Sequence, residues 1–196
     1  MRRRLLAAIA VVLAVGAALS GTTRRNVTGQ IDISALASDI EHENDHVTAM
    51  ELAEWIKDRK PGLRVIDVRS DSEYQDFHIA SAERIPLSGL SALKPVANET
   101  LVLYSEGGAH AAQGWILLRA AGHRNVFFLR GGILDWMDEI MSPSIPEKAA
   151  TAAADSVNAH RAALSRYFGG VPHVGDPAKT ADDAVAAVKR VKRRGC

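Results

Sequence analysis

The chain has 196 residues, room for one domain of ordinary size with appendages. Its 24 Lys and Arg nearly balance 23 Asp and Glu, and the resulting net charge of +1 gives no overall electrostatic signature. The single cysteine, Cys196, excludes an intramolecular disulfide, so the fold must rest on its core.

Residues Met1 to Gly21 stand apart from that core. Arg2, Arg3 and Arg4 precede an uncharged run from Leu5 to Leu19, followed by the small residues Ser20 and Gly21. This is the layout of a secretory signal with a cut after Ser20. The alternative is an uncleaved anchor, because Leu5 to Gly21 approaches the lower limit of about 17 residues for a spanning helix. Under the positive-inside rule the arginines stay cytoplasmic, so the rest is expected to be exported, either periplasmic or anchored to the inner membrane and facing outward. Membrane contact is then expected through this N-terminal segment if it is not cleaved.

Residues 22–47 are polar with little periodicity and read as a linker. Within it, His42-Glu43-Asn44-Asp45-His46 is a literal H-E-x-x-H. A zinc protease places those two histidines one helical turn apart, with the Glu as general base. The acidic, polar surroundings argue against the helix this needs, so the string reads as a solvated charged segment and no metal site is expected.

From Thr48 the pattern becomes regular. Thr48 with Glu51 forms a capping box for a helix from Ala49 to about Asp58, which Pro61-Gly62 ends. Leu63 to Val68 reads as a strand, Ser70 with Glu73 as a second capping box opening a short helix through Phe77, and Glu83 to Pro86 as a brief strand. A weaker helical stretch from Ser88 to Leu93 leads to Leu101–Tyr104, an apolar run without alternation, as expected of a strand buried on both faces. A crossover helix from about His110 to Gly122 and a strand at Val126–Leu129 follow. The alternating order predicts an α/β fold, a central parallel sheet flanked by helices. Ligands of such sheets bind beyond the carboxyl ends of the strands, where Ser105-Glu106-Gly107-Gly108-Ala109-His110 falls. A Gly-rich turn ending at a helix start points amides at one spot, a geometry suited to an anion.

With Asp67 and Arg69 in IDVRS, Glu73-Tyr74, His78-Ile79, Ile85-Pro86, and Gly131-Gly132 with Trp136, the stretch 48–141 resembles a rhodanese-like domain, the fold of the sulfurtransferases. In that family the loop reads Cys-x-x-Gly-x-Arg-Ser, and the Cys carries transferred sulfur as a persulfide. The resemblance places Ser105 at the cysteine position and His110 at the arginine position. A Ser hydroxyl forms no persulfide, and as a hydrolase nucleophile it needs a positioned His and acid; His110 is the nearest base and no acid is identifiable as its orienter. Glu106 adds a negative charge, so only weak oxyanion binding is expected near neutral pH. Asp67, Arg69 and His78 are expected to brace loops by hydrogen bonds.

Residues 142–196 read as a helical C-terminal extension. Ser142 to Pro146 is a breaker-rich joint, Glu147 to Phe168 a long Ala-rich helix with Val157, Leu164 and Phe168 as its apolar stripe, and Thr180 caps a last helix ending in Lys189, Arg190, Lys192, Arg193 and Arg194. No interleaving of basic and aromatic residues points to nucleic acid, and no motif calls for a cofactor. The function expected is that of an exported binding or regulatory module, catalytically disabled at Ser105. The alternative is a sulfur-handling protein whose thiol is Cys196, the residue also expected to join an unknown protein partner by a disulfide.

Overall fold

The computed structural model describes residues 32–175, apart from 95 and 149. The N-terminal segment 1–21, the helix after Thr180 and Cys196 lie outside the described residues. Among the described residues, no helix is long and apolar enough to cross a membrane.

In chain order the elements are α1 (Ile33–Glu41), β1 (His46–Val47), α2 (Ala49–Lys57), β2 (Leu63–Asp67), α3 (Asp71–Asp76), β3 (Ala82–Arg84), a 3-10 turn (Leu87–Ala92), β4 (Thr100–Tyr104), α4 (Ala109–Ala120), β5 (Val126–Leu129), α5 (Gly132–Trp136), β6 (Ser144–Ile145), α6 (Ala152–Tyr167) and β7 (His173–Val174). Strands β1 to β5 form one sheet in the order β1-β5-β4-β2-β3. Every pair in it is parallel. This is the expected α/β architecture, with all five residues of β4 buried at the centre.

Alternation along the strands divides the core in two. Val65, Val102, Tyr104 and Leu129 face Leu52 and Ala53 of α2 and Ile133 and Trp136 of α5. Ile66, Leu101, Leu103 and Val126 face Ala111, Trp115 and Leu118 of α4, with Leu90 of the 3-10 turn. The crossover helix lies close to the sheet because Gly114 has no side chain: a Cβ there would stand 2.7 Å from Leu103 Cδ2. Trp115 Nε1 donates to Val126 O at 2.9 Å, which satisfies the indole inside the apolar layer.

Both predicted capping boxes are formed, Thr48 with Glu51 and Ser70 with Glu73. Other elements depart from the sequence reading. The stretch read as a linker carries α1 and, at His46–Val47, the edge strand of the sheet. The H-E-x-x-H string is therefore not on one helix: α1 ends at Glu41, Glu43 is left-handed at φ +54°, and His46 is already in β1. His42 Nδ1 lies 2.8 Å from Ser38 O, and His46 Nδ1 lies 2.8 Å from Asp45 Oδ1. The strand expected at Glu83 to Pro86 is Ala82–Arg84; Ile85 continues its ladder with one bond to Asp67 O, and Pro86, lacking a donor, ends it.

The long helix expected from Glu147 begins instead at Ala152, where Thr151 Oγ1 accepts from Ala154 N at 3.1 Å. Leu164 is buried in the same layer as Trp136 and Ile140, and Phe168 meets Trp136 edge to face at 5.1 Å. Val157, assigned to the apolar stripe, is exposed. His160 Nε2 lies 2.8 Å from Glu54 Oε1 of α2. The extension thus packs against the helical layer, and β6 pairs with β7 in a separate two-stranded parallel ribbon.

Candidate functional site

The carboxyl end of β4 runs into Ser105, and Gly108, at φ +88°, turns the chain into α4. A left-handed residue here suits glycine, which has no Cβ to clash. Ser105 is 2% exposed, and its Oγ accepts from Ala111 N at 3.3 Å. The hydroxyl therefore sits against the first turn of α4, where N–H groups have no intrahelical partner and the helix dipole is positive. The structure brings all six residues of the predicted loop, Ser105 to His110, to this one place; Ser105 and Gly108 are buried while Glu106, Gly107, Ala109 and His110 are exposed.

A second turn locks the loop from beneath. Ile133 N donates to Ser105 O at 2.9 Å and Leu134 N to Glu106 O at 3.2 Å. The loop carbonyls cap α5, and its amide end opens α4. The contact is tight at Gly132 (φ +61°), where a Cβ would stand 2.2 Å from Ser105 O and 2.6 Å from Glu106 O. At Gly131 the Asp135 carboxylate folds back into the space a Cβ would fill, within 2.1 Å of that position. Asp135 thereby joins Glu106 as an acidic group beside the loop. Sequence reasoning missed it, although a carboxylate four residues after a left-handed Gly at a helix start was a usable signal.

Behind the loop lies a buried ion pair. Asp67 is 0% exposed, and Arg69 reaches it through Nη2 at 2.6 Å and Nε at 3.0 Å, while Arg69 Nη2 also donates to Phe77 O at 2.7 Å. The Arg69 guanidinium lies 5.4 Å from the centre of the Tyr104 ring. Burial, and then the Asp67 charge, push the Tyr104 phenol well above its ordinary range, so it stays neutral and accepts from Ile79 N at 3.2 Å. His78 stacks on Tyr74 at 4.2 Å, and its Nδ1 lies 2.9 Å from Tyr74 O. Asp67 and Arg69 thus tie the end of β2 to Phe77, while His78 braces the end of α3 through Tyr74.

Carboxylates on the flanking helices are tuned by the caps. Hydrogen bonds from the Ser70 side chain hold Glu73 below the usual carboxylate range, with the charges of Arg69 and His110 adding to the effect. The Thr48 backbone and hydroxyl do the same for Glu51. Burial pushes Glu139 up, and Asp135 adds to it. Among the described residues, no three His, Cys, Asp or Glu are grouped so that they could hold a metal ion. What the loop offers is a buried hydroxyl at the N-terminus of α4, bonded to the Ala111 amide, with the exposed Glu106 beside it.

A model of the rhodanese-like domain matches residues 48–139. Among curated proteins, the probable adenylyltransferase/sulfurtransferase MoeZ of Mycobacterium tuberculosis is 32% identical over 98 residues, which cover 48% of this chain and 25% of that protein. A tRNA uridine(34) hydroxylase of Hamiltonella defensa is 27% identical over 113 residues, 54% of this chain and 31% of that protein. The chain therefore spans between a quarter and a third of the length of these relatives. Among solved structures, a rhodanese-like domain protein from Staphylococcus aureus is 28% identical with a TM-score of 0.44, covering 48% of this chain and 93% of that one. A rhodanese-related protein from Thermoplasma volcanium is 27% identical with a TM-score of 0.41, covering 47% and 90%.

Proposed function

We propose that this chain, whose residues 48–139 form a rhodanese-like domain, is an exported binding or regulatory module that does not transfer sulfur through its loop. Ser105 carries this reading. It stands on the buried floor of the loop, with its Oγ bonded to the Ala111 amide. That is where a sulfurtransferase needs a thiolate, and a hydroxyl has neither the acidity nor the sulfur chemistry to take its place. A hydrolytic role is no better supported: His110 is exposed at the helix start, and the buried acid of the region, Asp67, is committed to Arg69. The export of the domain rests on the arginines and apolar run of residues 1–21.

The matching ligand is a weakly held oxyanion or an acidic side chain of a protein partner. The amide end of α4 attracts it, while Glu106 and Asp135 oppose it. The test is a thiosulfate-to-cyanide transfer assay on the full chain and on Cys196→Ala. Neither is expected to turn over. Equal turnover by both proteins would overturn the reading, because the sulfur would then pass through a group other than Cys196.

A further inference from the structure

At the end of the sheet opposite the Ser105 loop, β4 and β5 pair with Leu101 beside Val126, which brings the residues preceding each strand together. Between them lies a partly open cavity of about 270 Å³, lined by residues 96–99, Leu101 and residues 122–125. Two residues of this lining each bury a polar atom that has no hydrogen-bond partner among the described residues: Glu99 Oε2 and His123 Nε2. His123 is 5% exposed and the Glu99 side chain 10%. A buried acceptor left unpaired carries its full desolvation penalty, so two at one cavity call for a group that satisfies both.

The walls are pre-formed. Asn98 is left-handed at φ +62°, and a Cβ at Gly62 would stand 2.3 Å from Asn98 O, so the turn before β4 is pressed against the start of β2. Thr100 N donates to Gly62 O at 2.9 Å. On the other wall His123 N donates to Leu118 O at 3.0 Å, and Arg119 Nη1 to Arg124 O at 2.6 Å.

Charge and chemistry narrow the ligand. Arg64 donates to Glu99 Oε1 at 2.7 Å and to Glu83 Oε1 at 2.6 Å, so one guanidinium serves two carboxylates and the group keeps a net negative charge. Glu99 Oε2 accepts hydrogen bonds only, and His123 Nε2 accepts in one of the two neutral tautomers. Val96, Ala97 and Leu101 supply an apolar flank. The exposed Arg124 on the rim adds one screened positive charge, which a singly charged ligand tolerates better than a polycation. We propose that this cavity binds a small amidinium or guanidinium compound, its N–H edge directed at Glu99 Oε2 and His123 Nε2 and its apolar body against Val96 and Leu101.

Titration of the ¹⁵N-labelled full chain with benzamidine tests this, with benzamide and benzoate as isosteric controls. Expected are saturable amide shifts confined to residues 96–99 and 122–125 with benzamidine, at least about tenfold weaker binding of benzamide, since hydrogen bonds to charged groups are the stronger ones, and none of benzoate. Glu99→Gln and His123→Leu should each abolish saturation while the rest of the spectrum stays that of the folded chain. If a variant fails to fold, comparison of the three compounds on the unmodified chain decides. No saturable shift with benzamidine, equal binding of benzamide, or shifts unchanged in folded variants would overturn the proposal.

Discussion

The carbonyl oxygen of Ser105 accepts the amide of Ile133 at 2.9 Å, so the loop that ends β4 is at once the entry to α4 and the N-terminal cap of α5. Its carbonyl dipoles are committed to one helix and its amide end to the other. These backbone bonds do not depend on which side chain stands at position 105. Gly132 makes the junction fit. In Gly132→Ala the new Cβ meets Ser105 O at 2.2 Å in a left-handed backbone, and the expected loss is at least about 2 kcal/mol. Gly107→Ala, where a Cβ meets nothing within 4 Å, should change stability by less than about 1 kcal/mol. Urea unfolding of the two variants checks the contrast.

The Asp67 and Arg69 pair should behave as a buried brace. Asp67 is fully buried and accepts from Arg69 N as well as from its guanidinium. Removing one partner of such a pair leaves an uncompensated charge, so Asp67→Ala should cost about 3–5 kcal/mol. Arg69→Lys should also destabilise, because an ammonium cannot reproduce the fork that reaches Asp67 and Phe77 O together. Chemical denaturation reads both losses.

Glu73 contributes to the acid dependence of stability. Ser70 hydrogen bonds hold its carboxyl below the usual range in the fold. Because the folded value is depressed, the contribution is fully present above the unfolded-chain value of about 4.3 and is lost as pH falls through the folded value. Glu73→Ala should therefore lower stability by about 0.5–1.5 kcal/mol at neutral pH, and the gap should narrow as the solution is brought below about pH 4. Melting curves of both proteins across that range test it.

His110 and Glu106 should set the loop's weak affinity for anions. Both are exposed where the loop leads into α4. His110→Arg supplies a fork of donors at the helix start, and Glu106→Gln removes a repelling charge; each should tighten sulfate binding, the first by about tenfold. Calorimetry at constant ionic strength reads the change. Unchanged affinity in both variants would place the anion elsewhere.

Much of this architecture is legible in the sequence because the strands are buried on both faces. Leu101–Tyr104 and Val126–Leu129 stand out as uninterrupted apolar runs, and the two capping boxes mark helix starts by side-chain chemistry alone. What escaped has physical causes. β1 is an edge strand of two residues embedded in an acidic string, so no alternation could develop. α1 carries Ile33, Leu36 and Ile40 at helical spacing but buries none of them, and so short a stripe inside a polar segment reads as linker. Glu99 and His123 in the far cavity become neighbours only through the register of β4 on β5, which local sequence does not encode.

The sharpest test of a formed cradle at position 105 is the ionisation of Ser105→Cys in a Cys196→Ala background, followed by thiolate absorbance against pH. That background leaves one thiol in the chain. With the Ala111 amide and the α4 N-terminus at its sulfur, the new cysteine should titrate well below the free-thiol value of about 8.5, in the range of about 3.5–7.5 found at helix N-termini. A thiol that titrates at or above about 8.5 would contradict the cradle, and with it the view that the loop still stabilises an anion at position 105.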